Sequence, residues 1–148
     1  MSFENDVKYE ENVRNVLNKD GIEDIDLMNE NQRHTKFASL PKCGSWAKRI
    51  IYNDTFAAHV ICQKPGETNR THFHKEHDEW WVVLDGKINW WIEGEGVIEA
   101  SKGDIVFAQR GKQHKIKTVG TENSLRLAIS PPDIPHYHPS KDNAPDEF

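Results

Sequence analysis

The pattern of the chain changes at Trp46. Before it the residues are mostly polar, with one helical signature: Val13, Val16 and Leu17 stand at i, i+3 and i+4 within Glu10 to Asp20, and Gly21 follows as a stop. After it, short β-rich runs alternate with turn residues. The runs are Trp46–Tyr52, Thr55–Gln63, Glu79–Leu84, Lys87–Ile92, Val97–Ala100, Ile105–Ala108, His114–Val119 and Leu125–Ser130. Asn53-Asp54, Pro65-Gly66, Asp85-Gly86, Gly94-Glu95-Gly96, Lys102-Gly103-Asp104 and Val119-Gly120-Thr121 separate them. Eight short strands at this spacing predict an antiparallel sandwich or barrel. The stretch from Pro131 is rich in Pro and His and shows no period. The expected organisation is an N-terminal extension with one short helix (residues 1–45), a β-domain (46–130) and a tail (131–148).

Asp85-Gly86 is the sharpest hairpin signal, since a two-residue type I′ turn needs positive φ at both positions. Such a turn would set Trp81 opposite Trp90 and Trp80 opposite Trp91. Alternation puts Glu79, Trp81 and Val83 on one face of their strand and Trp80, Val82 and Leu84 on the other. Both faces are largely apolar, so the outer one needs a cover. The N-terminal segment or a second subunit would supply it, and a homodimer is expected.

Composition narrows the class. The chain has 148 residues, 36% of them hydrophobic, which is one domain's worth with about 70% of its surface buried on folding. No apolar run reaches the roughly 18 residues of a membrane span. The start, Met1 to Asp6, is acidic and has no apolar signal stretch. A net charge of −5 disfavours a nucleic-acid or anionic-membrane surface. Two cysteines, Cys43 and Cys62, are too few for a disulfide scaffold or a Cys-rich zinc site. A reduced, cytoplasmic protein with a small-molecule partner is expected.

The histidines carry the chemistry. His72 and His74 are two apart, so on a strand both imidazoles share a face. Glu79 follows a polar stretch, and His114 opens a strand after Gly111. Three imidazoles and one carboxylate suit a divalent transition metal. Taken alone, the His-x-His pair and His114 each read more often as surface residues than as ligands. The surrounding glycines change that. Gly66, five residues, His72, one, His74, four, Glu79, six and Gly86 run in order, followed by Gly103, five residues, Gln109, one, Gly111, two and His114.

These two runs resemble the two motifs of the cupin superfamily. Gln109 stands where cupins usually have Pro, and Thr118 where they often have Asn; neither is a ligand position. The resemblance covers about Trp46 to Ser130. It implies an all-β, cupin-type jelly-roll barrel with one divalent metal per chain held by residues matching His72, His74, Glu79 and His114. Fe(II) is favoured, with Mn, Ni or Zn as alternatives.

Other residues have two readings. His59, mid-strand, is a cavity acid/base or a core histidine. Trp81, Trp90 and Phe107 line a substrate pocket or pack the core. Arg49 and Arg126 face outward by default; an inward one would bind a substrate carboxylate in bidentate fashion. His77 reads as a loop residue, and His136 and His138, between prolines, as a surface or lid segment that forms no regular strand. The resemblance implies a metal-dependent enzyme. A non-haem iron dioxygenase for an enolisable or phenolic substrate heads the expectations. A non-redox lyase, isomerase or decarboxylase is the alternative, and a non-catalytic ligand-binding cupin the third.

Overall fold

The structure, a computed structural model, describes residues 7–10, 12–31 and 34–148. The acidic start, residues 1–6, lies outside them. In chain order the elements are β1 (Val7–Glu10), α1 (Val13–Lys19), β2 (Asp24–Asp26), β3 (Trp46–Tyr52), β4 (Ala57–Gln63), β5 (Glu79–Asp85), β6 (Lys87–Ile92), β7 (Gly96–Ser101), β8 (Ile105–Ala108), β9 (His114–Val119), β10 (Ser124–Ser130) and β11 (His136–Pro139). A 3₁₀ turn spans Phe37–Ser39. The fold is all-β, as the alternation predicts. Helix α1 is shorter than the periodic stretch, because Asn12 caps it by accepting from Arg14 N at 2.8 Å.

The strands form a six-stranded sheet, β2-β3-β4-β10-β5-β8, and a three-stranded sheet, β7-β6-β9, packed face to face. Strand β2 pairs parallel with β3; the other pairs are antiparallel. The segment from Thr68 to His74 extends the smaller sheet. Thr68 bridges Lys117, His72 bridges His114, and Phe73 bridges Tyr137 of β11, which pairs with β1.

The expected hairpin does not form. Strand β5 pairs with β10 and β8, and β6 with β7 and β9, so Asp85-Gly86 crosses from one sheet to the other. Gly86 has φ +79°, but Asp133 is the one non-glycine residue with positive φ among the described residues, so Asp85 cannot supply a type I′ turn. A Cβ at Gly86 would lie 2.7 Å from Asn123 O, which is why this crossing demands glycine. Trp81 and Trp90 do meet, at 5.6 Å between ring centroids, but across the sandwich instead of along a ladder. Trp80 pairs with Phe107 and Ile129, not with Trp91.

Alternation sorts the six-stranded sheet into two faces. Register places Ala47, Ile61, Arg126 and Val83 in one inward row, and Arg49, His59, Ala128, Trp81 and Val106 in the next. Outward, Ile50, Ala58, Val60, Cys62 and Leu125 form a second core, against which Leu84, Phe37 and Leu40 pack. The N-terminal segment therefore covers much of that face. Trp80, Ile105 and Phe107 stay 37, 67 and 52% exposed at its β5/β8 edge. Trp91 lies on the other sheet and does not join them.

Candidate metal centre

His72, His74, Glu79 and His114 converge. Each offers a ligand atom, and all four atoms lie within 4.8 Å of one another. Their positions follow from the backbone. His72 and His114 exchange both main-chain hydrogen bonds, at 3.2 and 2.8 Å, which sets them opposite each other. Gly111 N donates to His74 O at 2.7 Å, in a turn where Gly111 takes φ +83°. Glu79 opens β5 and enters from the facing sheet.

The three imidazoles are oriented alike. Nδ1 of His72, His74 and His114 lies 3.0, 2.8 and 3.2 Å from the carbonyl oxygens of Arg70, Pro135 and Lys112. With Nδ1–H donating there, each Nε2 carries a lone pair, and these point at one centre. His72 and His114 Nε2 are 3.0 Å apart; Glu79 Oε1 is 3.2 Å from His74 Nε2 and 3.4 Å from His114 Nε2. Facing lone pairs at such distances repel unless a cation lies between them. Neighbouring donors around an ion with bonds of about 2.1 Å stand about 3 Å apart. The donor set therefore fits one divalent ion.

Burial opposes a charge on Glu79, but the close imidazoles of His114 and His74 outweigh it and hold the carboxyl well below its usual range. Burial, then the neighbouring imidazoles of His114, His136 and His74, keeps His72 neutral. At His74 burial is outweighed by Glu79, and its pKa rises.

His72 and Glu79 line a cavity of about 90 Å³. One water needs roughly 10–15 Å³ of such space, so a molecule of about six to nine heavy atoms fits. Trp81 and His59 line it, as expected. His59 has a buried Nε2 without a partner, and its pKa falls to about 4, through burial first and the Arg49 charge second. Two expected wall residues lie elsewhere. Trp90 is fully buried behind Trp81, in the core. Phe107 points out of the barrel, because it alternates with the inward Val106 and Ala108. His77 is half-buried outside the cluster.

Three wall residues depart from the sequence reading. Arg49 and Arg126 face inward, 7 and 3% exposed. The tail forms strand β11, whose ladder to β1 tolerates the terminal Pro139. It brings His136 into the cavity wall, its ring 4.9 Å from that of His72 and 4.7 Å from that of His74. Burial chiefly lowers the His136 pKa to about 3. The same segment holds His74, whose Nδ1 lies 2.8 Å from the Pro135 carbonyl oxygen.

The family described as "Cupin domain" matches residues 59–131. Solved structures share the fold. A Klebsiella pneumoniae protein with a double-stranded β-helix domain aligns with TM-score 0.64 and 17% identity, covering 74% of this chain and 93% of its own. The Schizosaccharomyces pombe Cnp3 cupin domain gives 0.60 and 18%, over 68 and 74%. The polyketide cyclase RemF from Streptomyces resistomycificus gives 0.58 and 22%, over 66 and 71%. At these identities the likeness establishes the fold. No curated protein matches the chain.

Proposed function

We propose that this chain, which belongs to the cupin superfamily, is a metal-dependent enzyme acting on a small enolisable molecule. One observation carries the reading: three imidazole Nε2 atoms and a carboxylate converge on one point at the wall of a cavity. Bound there, a divalent ion supplies a Lewis acid, or with iron a redox centre for O₂, beside the substrate's oxygen. His72, His74 and His114 are held by backbone carbonyls, so they keep their orientation with or without a ligand. Trp81 excludes water from one side of the cavity.

Three neutral imidazoles and one carboxylate suit Fe(II), and the favoured chemistry is an O₂-dependent cleavage. The non-redox reading, a lyase, isomerase or decarboxylase, has its own support in His59. A neutral imidazole with a free Nε2 in the cavity is placed to accept a proton from carbon. The test is protein reconstituted anaerobically with Fe(II) or Zn(II) and screened against enolisable substrates. Turnover that requires both iron and O₂ supports the dioxygenase. Equal turnover with Zn(II) and no O₂ replaces it with the Lewis-acid enzyme. His74→Ala should lose most bound metal yet fold, which metal analysis and circular dichroism will read.

Trp80, Ile105 and Phe107, exposed together beside the free edge of β8, support a homodimer. Light scattering should give twice 17.1 kDa at micromolar concentration; the mass of one chain would contradict it. Cys43 and Cys62 are both free, in keeping with a reducing, cytoplasmic setting. No helix among the described residues is long and apolar enough to cross a membrane.

A further inference from the structure

We propose that the inner end of the cavity is a carboxylate-binding subsite centred on Arg126, so that the substrate is a small carboxylate reaching from that guanidinium toward the metal ligands. This rests on the metal-dependent reading above and adds the substrate class to it.

Arg126 is a cavity cation with no carboxylate in direct contact; Asp20 and Glu79 of the same lining act on it only from a distance. It is 3% exposed and lines the cavity. Nη1 donates to Gln63 Oε1 at 2.5 Å, while Nε is buried without a partner. Gln63 is fully buried too, and its own Nε2 has no partner, so its carbonyl is committed to the arginine. No described carboxylate lies within ion-pair distance of Arg126. Asp20 is in the same wall, but it accepts from Arg70 N at 2.9 Å and lies 3.8 Å from Arg70 Nε.

A buried guanidinium with only a neutral amide beside it is costly in isolation. Burial drives its pKa down to about 10, the physical trace of that cost. A planar carboxylate reaching the guanidinium through the cavity would supply a directly paired negative charge. Arg49 adds positive potential from β3, two strands away. Two of its donors are engaged, Nε to Met28 O at 3.1 Å and Nη2 to Asn29 Oδ1 at 2.5 Å.

The distances suit a small ligand. Arg126 stands opposite Val83, two same-face steps along β5 from Glu79. That is about 13 Å at the backbone. The arginine side chain spans part of it, and the 90 Å³ cavity occupies the rest.

The test is calorimetry on metal-free protein with pyruvate and benzoate, their neutral amides and inorganic phosphate. The carboxylates should bind at least tenfold more tightly than the amides and more tightly than phosphate. Arg126→Met should weaken carboxylate binding roughly ten- to hundredfold. Arg126→Lys should retain part of the binding. Amides binding as well as carboxylates, phosphate binding more tightly, or carboxylate affinity unchanged in Arg126→Met would overturn the subsite. His74→Ala separates the two readings. Carboxylate binding that survives in it leaves the subsite standing should metal dependence fail. A metal-replete protein indifferent to the carboxylate sinks the subsite alone.

Discussion

Ile88, Trp90, Ile92 and Ile116 fill the inner face of the three-stranded sheet, none more than 3% exposed. The facing sheet is mixed: Trp81, Val83 and Val106 pack against that core from β5 and β8, and the strands beyond them differ. Ala57, Ala128 and Ser130 take inward positions there, among Arg49, His59 and Arg126. Large apolar side chains on one wall supply burial energy of roughly 25 cal/mol per Å². Small ones on the other leave the space in which the ligand is held. Two inward arginines and an unpaired histidine reduce stability where they stand. The packed wall opposite offsets that cost, so the division of labour between sheets lets the barrel tolerate a polar interior.

Breaking the packed wall should give the largest effect. Trp90→Ala deletes a fully buried indole in contact with Trp81. Large aromatic deletions in a core cost about 3–5 kcal/mol. Urea unfolding of the metal-free protein measures it. A loss below about 1 kcal/mol would show that the three-stranded sheet does not carry the stability assigned to it here.

The same contrast explains what could be read from the sequence. The strands were legible because turn residues punctuate them, and the ligands because two glycine-framed motifs bracket His72, His74, Glu79 and His114. The inner face of β10 was not. Leu125 packs in the second core, with Leu127 and Ile129 against it, while Arg126 and Ala128 face the cavity. Apolar alternation points to the core, but this sheet has two, and the one beneath Phe37 and Leu40 attracts the larger residues. Arg49 of β3 and Arg126 of β10 were therefore assigned outward by default. The hairpin failed for a related reason: Asp85-Gly86 satisfies local turn chemistry, but the sheets diverge there, and long-range pairing of β5 with β10 prevails. His136 was missed because a tail between prolines carries no period, and only a distant partner, β1, makes it a strand.

A matched pair of substitutions sharpens the comparison with a smaller effect. Ala128 sits between His59 and Trp81 on the cavity wall, whereas Ala100 sits opposite Ile88 in the packed core. Both are nearly buried, at 7 and 6% exposure, so their environments differ in free space and not in access to water. Ala100→Leu must push its neighbours off their rotamers and should cost about 1–3 kcal/mol. Ala128→Leu finds room already present and should change stability by no more than about 1 kcal/mol, in the stabilising direction. Function should move the other way. The new leucine occupies the space a ligand needs, so carboxylate affinity should fall more than tenfold in Ala128→Leu and stay unchanged in Ala100→Leu. Chemical denaturation and calorimetry on the two variants decide it. Equal destabilisation by both would mean that Ala128 is packed as tightly as Ala100, and that the two walls do not differ in the way their residues indicate.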